Sequence, residues 1–481
     1  MATALGRTTR AAIDRLTVAL GGAERTRVIV VLACVLGLSG ADTATVGATA
    51  SQLRHALGIN NTDVGLLVTV SSLVGAVATL PFGVLADRVR RTWTLGAVIV
   101  LWGLAMFWSA AATSFGTLLL ARLVLGAATA AAGPIVASLV GDYFPATERG
   151  RIYGYILAGE LAGSGFGFAV TGDIAALSWR AAFVFLGIPA FVLAWFVLRL
   201  REPERGGQGA LVSESAEPEP EEHEPEHGHR RTDAQRLADE HGVAADPDLV
   251  LRRDGTRMSL PAAVRYVLRV RTNLILIAAS ACGYYFLAGV QTFGLEFAKD
   301  QYEIGQVVAT GALLVVGLGA IGGVLAGGAI GDGLLRRGRL DARIRTSAVS
   351  AAAATLLFIP ALFTRHPATA VIWLGAAAFA LSAQNPPLDA ARLDIMPASL
   401  WGRAEAVRTL LRSLAQALAP LLFGAVSDYV FGGGRTGLLW TFVLMLLPLG
   451  AGAALLFKAL ATYPRDVATA AAARGPRRPR S

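Results

Sequence analysis

The sequence predicts an all-α membrane protein with twelve transmembrane helices in two pseudo-symmetric six-helix bundles. The 481 residues are 54% hydrophobic and 16% charged, with a mean hydropathy of +0.54, whereas soluble proteins carry roughly 25% charged residues. Twelve apolar runs reach the ~20 residues that a helix needs to cross a bilayer. One long polar stretch separates these runs into two groups of six, and a duplicated bundle is a common plan among secondary transporters.

The predicted spans divide the chain into five parts. We expect an N-terminal tail (1–27), a first bundle (28–200), a linker (201–271), a second bundle (272–460) and a basic tail (461–481). Residues 201–262 are rich in Glu, Pro, His and Arg, a composition that predicts disorder. Residues 258–270 alternate apolar residues with arginines, as an amphipathic helix on a membrane surface does. The predicted spans are 28–52, 63–86, 93–113, 115–141, 151–173, 180–200, 273–298, 305–331, 344–364, 368–394, 404–428 and 437–460.

Several arginines follow each of spans 2, 4 and 8, and Arg403 follows span 10, while the opposite loops usually carry one basic residue each. By the positive-inside rule, this asymmetry predicts that both termini and the linker are cytoplasmic, in a protein of the plasma (inner) membrane. Topology therefore accounts for the net charge of +9, and no nucleic-acid partner is predicted because the basic residues do not gather on one folded face. We expect a monomer surrounded by membrane lipids.

A short phrase occurs twice, each time at the predicted cytoplasmic end of a span. Gly83-x-x-x-Asp87-Arg88 follows span 2, and Gly328-x-x-x-Asp332 follows span 8. Glycine lets two helices approach closely, and each aspartate is placed to face the positively polarised N-terminus of a neighbouring helix. We predict that the two copies form a cytoplasmic gate.

Two residues near the end of span 4 complete the predicted gate. Asp142 ends that span and Arg149 follows it, and we expect Arg88 to pair with Asp142 while the cytoplasmic side is closed. Gly333 stands where the second copy would carry its arginine, so we expect the first copy to be the stronger latch. The alternative, in which the phrase only sets a tight turn, stays open.

These features resemble the major facilitator superfamily over residues 27–460, and finer phrases resemble its spinster-type branch. The resemblance implies alternating access and transport of lysophospholipids, sphingoid lipids or related amphipathic molecules. The branch usually carries a glutamate after the glycine of span 4, where this chain has Ala127-Ala128-Thr129, and it is usually uncharged where this chain has Glu160. The phrases are Asp42, Gly65-Leu66-Leu67, Arg122 with Gly126, Gly141-Asp142-Tyr143-Phe144-Pro145, Arg149-Gly150-Arg151, Gly163-Ser164-Gly165-Phe166-Gly167, Arg403-Ala404-Glu405-Ala406, and Pro420 with Gly424-Ala425-Val426-Ser427-Asp428.

One pair of opposite charges is expected inside the first bundle. Asp42 lies 15 residues beyond Arg27, roughly 22 Å along a helix. Arg122 lies 7 residues after Phe115 on a descending helix, roughly 10 Å from the outer edge. Both therefore reach a similar depth, and charges at such depth are functional candidates because they are costly to insert. We predict Asp42 as a proton or headgroup site with Arg122 as its partner; a static salt bridge is the alternative.

A second pair relates the two bundles. Glu160 is ten residues after Gly150, and Arg412 is ten residues after Gly402. Since spans 5 and 11 line the interface between the halves in the superfamily, the resemblance implies that both side chains face a central cavity. We predict that they act as headgroup contacts or as a state-dependent pair. Two unrelated charges, each satisfied locally, are the alternative.

The sequence thus favours a secondary active transporter of lysophospholipid or another amphipathic lipid, coupled to protons. A multidrug/proton antiporter is the nearest alternative, followed by a sugar or organic-acid porter and a receptor that no longer transports. No enzyme activity and no cofactor are predicted, because no Walker phrase, nucleophile–base pair or metal-ligand spacing occurs in the spans.

Overall fold

A computed structural model describes residues 17, 21–86, 89–144, 149–203, 232–251, 258–397 and 400–473. The regular structure of these residues is helical, without a strand. By its contacts the chain forms two units. The first comprises Met1–Ile59 with Leu66–His223, and the second comprises Asn60–Gly65 with Glu224–Ser481. The predicted all-α membrane fold is confirmed.

In the first unit, α1 packs along α6 and α3 packs along α7. Predicted span 4 is divided into α4 and α5 at Ala130–Ala131. Pro134 explains the break, because it has no N–H to donate to the Ala130 carbonyl one turn earlier. The helices are α1 (Ala23–Leu57), α2 (Asn61–Ala86), α3 (Arg91–Ala111), α4 (Phe115–Thr129), α5 (Ala132–Tyr143), α6 (Arg149–Leu177) and α7 (Trp179–Leu198).

Glycines bring the backbones of α1 and α6 into close contact. A Cβ atom on Gly40 would lie 2.6 Å from the Glu160 carbonyl oxygen, and one on Gly163 would overlap the backbone of Gly37. Such small-residue contacts are a usual means of packing membrane helices. The backbone of Glu160 is therefore held next to Gly40, two residues before Asp42.

In the second unit, α10 packs against α15 and α16, and α11 packs along α13. Predicted span 10 is divided into α13 and α14 at Gln384, where Pro386 and Pro387 lack the N–H groups that would continue the helix. The elements are α8 (Asp233–Glu240), α9 (Leu260–Arg269), α10 (Arg271–Tyr302), α11 (Gln306–Arg336), α12 (Ala342–Phe363), α13 (Pro367–Ala383), α14 (Asn385–Asp394), α15 (Trp401–Ala425), a π-helical turn (Val426–Val430) and α16 (Gly434–Ala471).

Eleven helical stretches within the described residues are long and apolar enough to cross a membrane. The remaining predicted span, 151–173, corresponds to α6, whose glycines, tyrosines and Glu160 lower its hydropathy. This helix is 29 residues long, which exceeds the ~20 residues that a crossing requires. With α6 included, the helices match the twelve predicted spans.

The disorder predicted for residues 201–262 does not hold over residues 232–250. Thr232 and Gln235 form a capping box that begins α8. Ala234 and Ala238 are buried in a core cluster with Tyr463, a residue of α16. This packing also explains why α16 continues past the predicted end of span 12 at residue 460. Residues 204–231 lie outside the described residues.

The first residues of α2 belong to the second unit. The backbone N–H and the hydroxyl of Thr62 both donate to Oδ2 of Asp428, at 2.6 and 2.8 Å, and the Asn61 amide donates to the Ser427 hydroxyl at 3.1 Å. Asp428 and Ser427 lie in the π-helical turn. A carboxylate at this position accepts a hydrogen bond from an N–H group that has no partner within the helix. The positive end of the helix dipole also stabilises its negative charge.

Candidate functional site

Asp42 of α1 and Arg122 of α4 form a buried ion pair in the first unit. The Arg122 Nη1 atom donates to the Asp42 Oδ1 atom at 2.9 Å, and the two residues are 2% and 5% exposed. The similar depths predicted from helix rise for Asp42 and Arg122 are compatible with this contact. Their role in transport stays a prediction.

The pair lines a cavity of about 360 Å³ in the first unit. Hydroxyl groups surround it, and Arg122 Nε is buried without a hydrogen-bond acceptor among the described residues. The lining is Ser39, Asp42, Thr43, Val68, Ser71, Ser72, Gly75, Arg122, Thr129, Ala130, Gly133 and Pro134. A buried donor without an acceptor, next to a polar cavity, favours a rearrangement that supplies one, such as a water or an anionic oxygen.

A second hydrogen bond fixes the helix that carries Arg122. The Ser71 hydroxyl lies 3.0 Å from the Arg122 carbonyl oxygen and donates to it, joining α2 to α4. A Cβ atom on Gly126, one turn later, would overlap the Ser71 backbone. Gly126, which belongs to one of the spinster-type phrases, therefore permits the close approach of α2 to α4 beside the cavity.

Glu160 and Arg412 belong to different units, and each is described within its own. Glu160 is half-buried on α6, and no ion-pair partner for it occurs among the described residues. Arg412 is half-buried on α15, with its guanidinium carbon 4.3 Å from the centre of the Tyr284 ring. Its Nε is buried without a hydrogen-bond partner in the described part of the chain. The prediction that both act on one cavity stays a prediction.

A charged cluster lies on α14 and α15 of the second unit. Arg392 Nη2 lies 2.5 Å from Asp389 Oδ1, and Arg408 Nη1 lies 3.5 Å from the same oxygen. Glu405 accepts hydrogen bonds from both arginines. This cluster was not predicted from the sequence. The i, i+3 spacing of Glu405 and Arg408 on one helix face was the signal available for it.

The predicted cytoplasmic gate lies partly outside the described residues. This holds for Asp87 and Arg88 and for the side chain of Arg149, the residue at which α6 begins, while Gly83 lies within α2. Asp142 is described, and Arg91 donates to it from Nη1. The predicted pairing of Asp142 with Arg88 stays a prediction, because Arg88 lies outside the described residues.

Arg91 is the centre of a hydrogen-bond network at the start of α3. It is 1% exposed, and its Nε donates to Glu202 Oε1 at 3.0 Å. Its Nη1 donates to the Ser138 hydroxyl at 3.0 Å, and its Nη2 donates to the Pro203 carbonyl at 2.9 Å. Sequence reasoning missed this role, because Arg91 was one of several arginines in a loop that appeared to set topology.

Glu202 caps α3 from outside the spans. Its Oε2 accepts from the Thr92 N–H at 2.8 Å and from the Thr92 hydroxyl at 2.7 Å. Burial by itself would raise the pKa of Glu202. The hydrogen bonds from Thr92 and Arg91 outweigh that effect, and the pKa of Glu202 is lowered. The carboxylate therefore stays ionised at neutral pH.

The second copy of the phrase finds its arginine further along the chain. Arg343 at the start of α12 donates from Nη2 to Asp332 Oδ1 at 3.0 Å and from Nη1 to Asp394 Oδ2 at 2.6 Å. Tyr463 donates to the same Asp394 oxygen at 2.6 Å. A Cβ atom on Gly328 would lie 3.5 Å from Pro386. Asp332 is therefore paired with an arginine of the next helix, although the residue directly after Asp332 is Gly333.

The two units repeat one ion pair at the same spacing. Arg91 and Asp142 are 51 residues apart, and so are Arg343 and Asp394. In each unit the arginine lies in the first turn of one helix, and the aspartate lies in the last turn of the following span. The duplication read from the Gly-x-x-x-Asp phrases therefore extends to an arginine–aspartate pair that sequence reasoning had not matched.

Parts of this chain are similar in sequence to known proteins. The family model described as Major Facilitator Superfamily matches residues 32–375. The "Probable L-galactonate transporter" of Escherichia coli (strain K12) is 32% identical over 153 residues, which are 30% of this chain and 33% of that protein. The "Quinolone resistance protein NorA" of Staphylococcus aureus (strain MRSA252) is 29% identical over 154 residues, 31% of this chain and 39% of that protein. The chain thus matches little more than a third of the length of these relatives.

Solved transporter structures share the fold over most of the chain. A bacterial homologue of the human lysosomal transporter Spinster, in an inward-facing and unoccupied conformation, has a TM-score of 0.70 at 18% identity and covers 92% of this chain and 98% of that one. A D-xylose-proton symporter has a TM-score of 0.65 at 14% identity, with 91% and 98% covered. The apolar helices are those of an integral membrane protein, and the chain belongs to the major facilitator superfamily.

Proposed function

We propose that this chain is a proton-coupled secondary active transporter that moves lysophospholipid or another amphipathic lipid by alternating access. The observation that carries the proposal is the buried Asp42–Arg122 ion pair at a polar cavity of the first unit. A buried pair gains little stability over apolar side chains of the same size. Ionisable groups within a span are therefore functional candidates by default.

The pair offers a direct link between a proton and an anion. A proton on Asp42 removes the negative charge that holds Arg122, and the guanidinium then needs another acceptor. Arg122 already has one spare donor, Nε, and a guanidinium binds phosphate in a bidentate manner. Proton and anionic headgroup therefore favour each other's binding, and by linkage the substrate should bind more tightly as pH falls.

A cation in the second unit supports a headgroup with negative charge. Arg412 is half-buried and stacked on Tyr284, and no ion pair with it occurs among the described residues. The phosphate of a lysophospholipid would complement it. The spinster-type phrases of the sequence agree with this substrate class.

A multidrug/proton antiporter is the second candidate, favoured by Glu160. This carboxylate is half-buried with no cationic partner in the described part of the chain, and a cationic drug would supply one. The relationship to the quinolone resistance protein agrees with it. A sugar or organic-acid porter ranks third, since the galactonate and xylose transporters share only part of the sequence or only the fold.

Transport in proteoliposomes tests the proposal. The purified chain is reconstituted, and entry of a fluorescent lysophospholipid is measured with and without an inwardly directed proton gradient. We expect the gradient to increase the rate, and Asp42→Asn to reduce the gradient-driven part at least about tenfold, as loss of a positioned proton-transfer group does. Asp173→Asn is the matched control, because Asp173 is an exposed carboxylate of α6.

The outcomes separate the candidates. Gradient-driven movement of ethidium without movement of lysophospholipid would support the drug antiporter and contradict the lipid proposal. Lysophospholipid movement that is insensitive to the gradient and to Asp42→Asn would support the lipid substrate and contradict the proton coupling. Glu160→Gln and Arg412→Gln, measured in the same assay, test the second predicted pair. Unchanged rate and pH dependence in both variants would exclude it.

A further inference from the structure

Helix α9 has one face packed in the second unit and one face left open. Ala263 and Val267 are fully buried, and Val267 joins the core cluster that contains Tyr463 of α16. Arg265 and Arg269 are exposed on the opposite side, together with Leu268, of which 36% is exposed. Apolar and cationic groups thus share the open face.

Hydrogen bonds fix the orientation of this helix. The Tyr266 hydroxyl donates to the Leu249 carbonyl at 2.9 Å, and the Asn273 amide donates to the Val267 carbonyl at 2.9 Å. Arg403 Nη1 donates to the Met258 carbonyl at 3.0 Å, just before the helix begins. These bonds attach α9 to the second unit just before its start and near its end, which fixes the direction of its open face.

The open face lies where a transmembrane helix leaves the bilayer. Val270 is the single residue between α9 and α10, and α10 is an apolar stretch of spanning length. Amphipathic helices at such positions lie in the plane of the membrane interface, with apolar side chains below the headgroups. Leu268 and Pro261 are the exposed apolar residues that would enter this layer.

Three arginines at this junction have no acidic partner among the described residues. They are Arg265 and Arg269 on α9 and the exposed Arg271 at the start of α10. Arg265 and Arg269 also line an open groove of about 600 Å³ with Pro261, Val264 and Leu268. A guanidinium pairs well with a phosphate oxygen, and basic residues next to a membrane span are attracted to anionic lipid.

We propose that the open face of α9 is a binding surface for anionic phospholipid of the bilayer. The arginines contact the lipid phosphate and the negatively charged headgroup, while Leu268 and Pro261 contact the upper part of the acyl chains. This surface is separate from the Asp42–Arg122 cavity and does not depend on which substrate is carried.

Site-specific quenching in liposomes tests this surface. Cys34 and Cys282 of the full-length chain are replaced by alanine, Leu268→Cys is labelled with bimane, and the protein is reconstituted. Fluorescence is compared in brominated phosphatidylglycerol and in brominated phosphatidylcholine at the same mole fraction. We expect quenching to be at least about twofold greater with phosphatidylglycerol, since each basic residue near an anionic surface favours it several-fold.

Charge variants in the labelled background identify the cause. Replacing Arg265, Arg269 and Arg271 together with glutamine should bring the quenching ratio to about one, and the corresponding triple glutamate variant should invert it. Arg236→Gln is the control, because Arg236 on α8 is an exposed residue with its own partner, Asp233. Equal quenching by both lipids in the parent, absence of quenching by either, or a preference that survives the triple glutamine variant would each overturn the proposal.

Discussion

Replacing Arg343 with leucine should leave the Asp394 carboxylate buried without its cation. Asp394 is fully buried, and its Oδ2 accepts only from Arg343 and Tyr463 among the described residues. Removing one member of a buried ion pair costs about 3–5 kcal/mol, because the remaining charge is desolvated and unpaired. A change of 1 kcal/mol shifts the melting temperature of a domain of this size by about 2–4 °C. We therefore expect Arg343→Leu to lower it by roughly 6–20 °C.

Thermal unfolding of the purified chain in detergent, followed by tryptophan fluorescence, measures this loss. Trp401 is a local reporter, since its indole N–H donates to the Leu393 carbonyl at 3.1 Å and to the Met396 carbonyl at 2.9 Å. Adding Asp394→Leu to Arg343→Leu should restore most of the stability, because a buried ion pair can be replaced by apolar side chains at little cost.

Two comparisons make the reasoning refutable. Arg345→Leu removes an exposed ion pair with Asp341 and should cost less than about 1 kcal/mol. Arg91→Leu should cost less than Arg343→Leu, since the Asp142 side chain is 17% exposed while that of Asp394 is 0% exposed. The Arg343–Asp394 pair does not have the structural role assigned to it if Arg343→Leu and Arg345→Leu have the same melting temperature. The same holds if the double variant regains no stability over Arg343→Leu.

Three further predictions concern helix packing, capping and the linker. Gly163→Leu should destabilise the first unit by about 1–3 kcal/mol or more through overpacking against Gly37, whereas Gly165→Leu, where a Cβ meets open space, should not; melting curves compare them. The pKa of Glu202 is lowered in the folded state, so the stability that its ionised form contributes is complete above the unfolded pKa of about 4.3 and is lost as pH falls through the folded pKa. The melting temperature of Glu202→Gln should therefore lack this dependence on acid pH. Ala238→Glu places a charge at a fully buried position and should speed amide hydrogen exchange across α8 at least about tenfold, and an unchanged exchange rate would contradict the packing described for α8.

Helix periodicity and depth were enough to predict the bundles and the Asp42–Arg122 contact. Hydropathy sets where each helix enters the membrane, and a fixed rise per residue then gives the depth of every charge along it. The helix breaks at Ala130–Ala131 and Gln384 were also predictable from the sequence, because Pro134, Pro386 and Pro387 follow them.

The contacts at helix ends were not predictable in the same way. Arg91 is one of several arginines near Asp142 in the sequence, and its contact with that residue depends on the packing of α3 against α5 and on the position of Glu202. Likewise, residues 232–250 have a composition that predicts disorder. They fold because α16 presents buried positions for Ala234 and Ala238, and a local composition contains no information on that partner.

The packing of α8 and α9 also determines where the chain can be interrupted. The last part of the linker is built into the second unit, through the capping box at Thr232 and the contact of the Asp246 N–H with the Thr469 hydroxyl at 2.8 Å. A reporter domain or protease site inserted ahead of Thr232 leaves these contacts intact. The same insertion between α8 and α9 would separate Ala238 from the core that buries it. For co-expression of the protein as two fragments, the second fragment should therefore begin at or before Thr232, rather than at the start of its first transmembrane helix.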